Sequence, residues 1–597
     1  MKYRILFLFI SALLLLPIRV FASGDFIEDY DVSYAISPLG VTTVTQNIRL
    51  TNTTDTKFPK QFAVIIDTDK IKNVIAHDNG GQISPIIKQV DGKTEITLAF
   101  NEYSVGRNKI LPFTLRYEND SITQKIGSIW EVAIPGIRDT ESVRSYRVSF
   151  DAPISFGPNA YLSPLPIKGR TWEKDQLIAG GITAAYGEAQ HYRLTLLYHL
   201  ANTSSQSLTR SVALPPDTAY QKVAIESIDP VPKTIERTDE GNWIATFSLP
   251  AASRIDVKAQ MGVEVTLKPR DTFVQEIPDL SRYLAPDEYW QTLDPTIASL
   301  GRELKTPKEI YDYVVKALTY DYARVSARLE RLGATAALGN PQRALCTEFT
   351  DLFIAIARAA GIPARENVGF AYTTNPKLRP LSLIADVLHA WPEYYDPARR
   401  LWVPIDPTWG NTTGGINYFD TLDFDHIVFA IHGASSTDPL PAGFYRQSDG
   451  QGKDIQVAVS DSAVIGVGKL LTSMKVPHLV FAGFPIKGVL SVQNTTGASI
   501  EKTHIAIESK ALHFTKNLDT TSFTPFASIS VPFEIKTSSS FESSSVDILV
   551  NINDEIKRVY VPVYPLHWFI LPLAGTAVIV YLTRSVWFRR HKPSEKR

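Results

Sequence analysis

Short runs in which apolar and polar residues alternate fill most of this chain, and they are interrupted by one long tract with helical spacing. A period of two puts alternate side chains on opposite faces of a strand, so each run must bury one face against another layer. Between Asp25 and Pro166 the runs include "DYDVSYAI", "TVTQNIRLTN", "TEITLAF" and "SYRVSFDA", broken by Asn, Asp, Gly and Pro. Such spacing predicts an antiparallel β-sandwich over 23–166. "HYRLTLLYHLAN", "NWIATFSL" and "RIDVKAQMGVEVTL" predict a second β-domain over 167–268, and "GVLSVQN", "THIAIES" and "VDILVNIN" a third over 454–565. The chain has 597 residues, whereas a single hydrophobic core stops growing at roughly 250–300, so several cores are required.

The helical tract follows Pro269. In "TPKEIYDYVVKAL", Thr306 is placed to cap a helix with Pro307 at its first position and Glu309 at its third, and Ile310, Val314 and Leu318 fall on one face. "CTEFTDLFIAIARAAG" predicts a second helix, with Phe349, Leu352, Phe353, Ile356 and Ala360 at helical spacing and Gly361 as its stop. The strand-like segments "RENVGFAYT", "LHAWPEYYD" and "RLWVPIDPTW" come next, so 269–440 reads as an α+β domain.

Both ends are apolar. Residues 1–22, with Lys2 and Arg4 ahead of an apolar run and small residues near Ala22, read as a secretory signal. "LHWFILPLAGTAVIVYLT", 566–583, is long enough to cross a bilayer and precedes a basic tail, 584–597. The positive-inside rule puts that tail in the cytoplasm and the bulk of the chain outside, as a single-pass plasma-membrane protein. The formal net charge of −1 gives no electrostatic reason to expect nucleic acid as a partner. No phosphate-binding glycine loop, dinucleotide fingerprint or Gly-x-Ser-x-Gly elbow occurs, and nothing calls for a cofactor.

One cysteine, Cys346, stands in the whole chain and opens the second helix. It cannot form a disulfide within the chain. A thiol at a helix N-terminus meets the positive end of the macrodipole, which favours thiolate. Downstream, the turn "DPARR" joins two strands. If its centre falls between Pro397 and Ala398, His389 lies directly opposite Asp406 on the same face, where imidazole and carboxylate can meet. A one-residue slip would separate them. Cysteine, histidine and aspartate in one place make a nucleophile, a base and an orienting acid.

The ordered run "CTEFTDLFIAIARAAGIPAR", "HAWPEYY" and "LWVPIDPTW" resembles the core of the transglutaminase-like superfamily over about 280–435. The resemblance implies a papain-like α+β fold with Cys346 as nucleophile, His389 as base and Asp406 as orienting acid, and "LTYDYARV" matches the family's Tyr-Asp segment, so that Tyr320 could line the site. One position departs: the family usually has glycine two residues before the cysteine, and here Ala344 stands. The implied activity is acyl transfer through a Cys346 thioester on extracytoplasmic peptides or proteins, by hydrolysis or by cross-linking to an amine. The alternative is a catalytically degenerate domain that serves as a surface binding or scaffold protein.

Other chemistry-bearing residues have plainer readings. Trp391, Trp402 and Trp409 are expected to pack around the hairpin, and Glu393 to be a solvated strand carboxylate. Asp423, Asp425, His426 and His432 match neither a zinc nor a calcium pattern. Asn52, Asn202, Asn411 and Asn494 head Asn-x-Ser/Thr sequons, which would matter only in a eukaryotic secretory pathway.

Overall fold

The computed structural model describes residues 24–590 except 139, 179, 272, 274–278, 326–329, 372–387, 414–416, 421, 446–452, 462–465, 467 and 539–544. The expected signal segment, 1–22, lies outside the described residues, as do 591–597 of the basic tail. The fold is mostly β, with an α+β region between β-rich parts. It forms two compact units, Met1–Glu188 with Thr413–Asn417, and Ala189–Thr412 with Tyr418–Arg597.

In the first unit a seven-stranded sheet has Phe26–Ile36 and Thr42–Asn52 near its middle. Thr42–Asn52 buries every second residue, Val44, Ile48 and Leu50 among them, as its alternation requires. Phe26–Ile36 also pairs in parallel with Val143–Asp151, an exception to the expected antiparallel order. Ile182–Tyr186 pairs with Ile129–Ile134, so this β-rich unit runs past residue 166.

The second unit begins with a long pairing of Ala189–Asn202 against Ser253–Thr266, flanked by Gln221–Asp229. The other flank of Ala189–Asn202 is taken by Ile455–Ser460, from the far side of the sequence. That strand was expected in the last sandwich; its alternation fits any half-buried sheet edge, and only tertiary pairing selects which. Facing this sheet are Leu208–Leu214, Trp243–Leu249 and Thr234–Arg237, with Tyr198, Trp243, Phe247 and Met261 buried between the layers. The last sandwich packs a three-stranded and a five-stranded sheet around Ile486, Leu490, Ile505, Phe533 and Val561. Beyond it Leu566–Arg590 is a continuous helix, and Leu566–Trp587 is long and apolar enough to cross a membrane.

Three Asn-Thr-Thr/Ser turns share one construction. Asn52, Asn202 and Asn494 are buried, and each side-chain oxygen accepts from the backbone N–H and hydroxyl of the residue two places on, at 2.7–3.0 Å. Each amide NH2 donates to carbonyls across the corner: Lys57 and Ser104, Leu249 and Pro250, Ala498 and Thr524. An Asx turn of this kind satisfies backbone groups that leave a sheet together.

The α+β region packs the helix Cys346–Ala359 against a sheet ordered Leu401–Pro404, His389–Asp396, Ala364–Ala371, His426–His432, with Pro295–Glu303 and Pro307–Ala317 packed on that helix. Thr306 caps Pro307–Ala317 as expected, accepting from the Glu309 N–H at 3.2 Å while Glu309 accepts from the Thr306 N–H at 2.9 Å. Pro295–Glu303 lies close to the cysteine helix at Gly301, where a Cβ would come within 2.8 Å of the Ala359 backbone. His426–His432 is an edge strand, whose outward backbone groups need partners. Gln221 exchanges hydrogen bonds with Val428 (3.0 and 2.8 Å) and Asn242 with Ile431 (2.8 Å each). Both amides are buried, so two side chains of the preceding β-layer clip the edge shut.

Candidate active site

The cysteine helix is Cys346–Ala359, with Phe349, Leu352, Phe353 and Ile356 fully buried. Full burial of such a side chain is worth about 1.5–3 kcal/mol, so packing fixes the helix and its first turn. Gly361, at φ 81°, ends it, a left-handed position that glycine occupies without strain. At the N-terminus Glu348, fully buried, accepts from the Leu345 N–H and the Leu332 N–H at 2.8 Å each, and pairs with Arg324 at 3.1 Å. One carboxylate thus pins the chain on both sides of Cys346. Ala344 sits at φ −82°, ψ 140°, extended backbone that any residue adopts, so glycine's freedom is not needed there. Its carbonyl accepts from the Asp321 N–H at 2.8 Å, tying the Tyr-Asp segment to the approach of the helix.

Cys346 is 5% exposed. Its thiol neighbours His389, the first residue of His389–Asp396, closely enough to favour the charged form of that ring. His389 Nε2 lies 2.9 Å from Asp406 Oδ2, leaving Nδ1 as the ring nitrogen for the thiol. Asp406 follows Leu401–Pro404 and precedes the short helix Pro407–Thr412, and its Oδ1 accepts from the Trp409 N–H at 3.0 Å. The structure therefore brings Cys346, His389 and Asp406 together. Tyr320, 8% exposed, is beside them: burial, then the neighbouring Cys346, push its phenol above the usual range.

The hairpin reaches this contact by a different register. Asp396 pairs with Leu401 and Glu393 with Pro404, two residues away from the symmetry that would put His389 opposite Asp406. A shift of two keeps every side chain on its own face, so the contact survives. The ladder stops at Pro404, and Asp406 meets the imidazole from the turn into the short helix.

Glu393 is not solvated. It is 3% exposed and bonded at 2.7 Å to Arg365, its partner on the adjacent strand, whose guanidinium lies 4.3 Å from the Trp402 ring centroid. Trp391 and Trp409 stack on His389, with ring centroids at 5.7 and 5.3 Å, and all three tryptophans are buried. Trp391 and Trp409 wall the imidazole rather than only packing the hairpin.

Among the Asp and His residues with plain readings, His426 bonds directly to Asp406. Its Nε2 lies 3.2 Å from Asp406 Oδ2 and its Nδ1 2.9 Å from Asp423 Oδ1. No local signal marks it, because Asp406 approaches from another hairpin. His389, Asp406 and His426 each offer a donor atom within 4.8 Å of the others, a spacing an ion could share. Both rings already spend those atoms on hydrogen bonds to one carboxylate oxygen, so the group is complete as a hydrogen-bonded set. His432 lies apart, bonded to Glu366 at 2.7 Å and the Pro439 carbonyl at 3.0 Å, and Asp425 accepts from Tyr192 at 3.2 Å.

Electrostatics follow from burial and pairing. Burial opposes charge on His389, but the Asp406 carboxylate, their hydrogen bond and Cys346 outweigh it and push the imidazole up to about 9. Burial also opposes charge on Asp406; His389 first, then His426, hold it well below the usual carboxylate range. For His426 burial is overcome by Asp423 and then Asp406, again up to about 9.

Residues 291–407, which include Cys346, His389 and Asp406, match the family model of the transglutaminase-like superfamily. No curated protein matches the sequence. Among solved structures, a Cytophaga hutchinsonii protein described as a "Putative Cysteine Protease" is 17% identical, covering 47% of this chain and 93% of its own, with a TM-score of 0.32. A CARDB domain from Pyrococcus furiosus is 16% identical, covering 16% of this chain and 89% of its own, with a TM-score of 0.14. The helix that opens at Cys346 and the strand that opens at His389 thus stand in residues 291–407, a transglutaminase-like domain.

Proposed function

We propose that this domain is a cysteine enzyme that transfers acyl groups of extracytoplasmic peptides or proteins through a thioester on Cys346. The observation that carries the reading is the 2.9 Å hydrogen bond between His389 and Asp406 beside the Cys346 thiol, which stands at a helix N-terminus. Cys346 Sγ attacks an amide carbonyl carbon, and the Cys346 backbone N–H, at the helix start, helps to hold the oxyanion. The carbon–nitrogen bond breaks, and His389 gives its proton to the departing amine. Water, or a primary amine, then adds to the thioester carbon and returns a proton to His389, and the carbon–sulfur bond breaks to regenerate the thiolate. Asp406 keeps the ring oriented and stabilises its charged form. The apolar helix Leu566–Trp587 is compatible with a single-pass anchor, and we place the domain outside the plasma membrane with the basic tail in the cytoplasm.

The test is alkylation of Cys346 by iodoacetamide across pH. The reading expects faster reaction below pH 7 than an ordinary thiol of pKa about 8.5 gives, and a large loss in His389→Ala. Reaction no faster than such a thiol sinks it. Cys346-dependent incorporation of a fluorescent primary amine into a glutamine-containing protein selects cross-linking, and peptide cleavage alone selects hydrolysis. A second reading, a silent domain used for binding, draws on the 5% exposure of Cys346, and the same alkylation decides against it or for it.

A further inference from the structure

We infer that His426 is a positioning residue of this site: an imidazolium fixed between Asp406 and Asp423 that holds the Asp406 carboxylate under His389 and moderates its pull on that ring. The inference rests on the acyl-transfer reading of Cys346 and His389. Its ground is a count of hydrogens. Both ring nitrogens of His426 face carboxylate oxygens, Asp423 Oδ1 at 2.9 Å and Asp406 Oδ2 at 3.2 Å. An ionised carboxylate only accepts, so both nitrogens must donate, and an imidazole with two N–H groups is a cation. Asp406 then accepts from two rings on Oδ2 and from the Trp409 N–H on Oδ1, which leaves its orientation no freedom.

The groups around His426 agree with a buried cation. His389 and Trp391 face it from the strand His389–Asp396, with ring centroids at 5.5 and 4.9 Å. Asp406 and Trp409 face it from the turn and short helix, the latter at 4.5 Å. Asp423 and Asp425 precede it, and Asp423 Oδ1 also accepts from the Asp425 N–H at 3.0 Å. One edge meets a cavity of about 80 Å³ whose lining mixes the charged or polar Glu393, Arg399, Asp420 and buried Asn367 with the apolar Leu422 and Val428. His426–His432 is itself held by the Gln221 and Asn242 clips, so the ring cannot swing away without opening a strand edge.

A cation 5.5 Å from His389 disfavours a second proton there. Without it Asp406 would bind the His389 proton more tightly, making the imidazolium a weaker acid toward the departing amine. His426 thus sets the pH at which His389 can give up its proton.

The experiment follows Cys346 alkylation by anionic iodoacetate in the detergent-solubilised full chain, because that reagent is favoured while His389 is charged and its rate falls when the imidazolium loses its proton. In His426→Gln this alkaline fall should move up by about one pH unit or more, and Asp423→Asn should move it in the same direction. The unsubstituted chain, carrying ¹⁵N-histidine, should show two buried rings with both nitrogens protonated at pH 7.5, His389 and His426, the second of them Asp423-dependent. If the unsubstituted chain lacks enhanced reactivity below pH 7, the acyl-transfer reading fails. If that reactivity is present but neither variant shifts the alkaline fall, or His426 is neutral at pH 7.5, the role assigned to His426 is wrong. The nitrogen spectrum needs no variant for its sign, so a misfolded substitution leaves the inference open to refutation.

Discussion

Replacing Gln221 with leucine should loosen the strand that carries His426. The glutamine donates to the Val428 carbonyl at 3.0 Å and to the Pro216 carbonyl at 2.9 Å, and accepts from the Val428 N–H at 2.8 Å. Leucine keeps the volume and removes all three bonds. Val428 is 7% exposed, so its N–H and C=O would be left unpaired away from water. Each orphaned group costs about 1–3 kcal/mol, and two of them lower the local opening free energy by roughly 3 kcal/mol. At about 1.4 kcal/mol per tenfold, amide protection should fall by about 100-fold. Hydrogen–deuterium exchange read on peptides covering His426–His432 measures this directly, with peptides of the first unit as the internal control. Asn242→Ala should do the same at Ile431, whose N–H and C=O lose their 2.8 Å partners. If protection of the strand changes by less than about threefold in both variants, the clips do not hold the edge.

Three further outcomes can be checked. His389 and His426 are both pushed up to about 9 from an ordinary value near 6.5, so the stability they contribute is complete below about pH 6.5 and is lost as pH rises through 9. Each ring alone represents about 3 kcal/mol, and a thermal midpoint of the second unit that stayed flat or rose over that window would contradict the pairing. Asp406→Asn removes the charge that outweighs burial at His389, so at pH 7.5 the charged fraction should drop at least about tenfold, read as a matching loss of iodoacetate reactivity at Cys346; an unchanged rate would mean that Asp406 does not support the imidazolium. Gly301→Ala forces a Cβ to within 2.8 Å of the Ala359 backbone and should destabilise the packing of Pro295–Glu303 on the cysteine helix by about 1–3 kcal/mol, measured by exchange of Cys346–Ala359.

What the sequence could reveal depended on how local its cause was. The helix caps were legible because Thr306, Pro307 and Glu309 act within one turn. The meeting of His389 with Asp406 was legible because a hairpin constrains parity more strongly than register, and parity alone put both on one face. Glu393 was misread as solvated because its partner, Arg365, is set by strand pairing across 28 residues. His426 was passed over for the same reason: a histidine with a local carboxylate, Asp423, says nothing of the site until Asp406 arrives from another segment. The placement of Ile455–Ser460 beside Ala189–Asn202 is likewise a choice among sheets that no alternation pattern can make. Ala344 runs the other way, since a residue that departs from a family habit sits at backbone angles that do not call for glycine.

The buried Asn-Thr-Thr/Ser corners restrict where this chain can be made. Oligosaccharide is added to asparagine before a secreted chain has folded, and the acceptor signal is the same triplet that builds these turns. A sugar on Asn52, Asn202 or Asn494 would replace an amide hydrogen already committed to a carbonyl and would set a bulky polar group where the side chain is 0–2% exposed. Three of the β-layers would then be blocked at the corner where two strands part. A host that decorates such triplets would modify the polypeptide at sites the fold must bury, and the product should be retained and degraded, whereas a host without that machinery leaves the corners free to close.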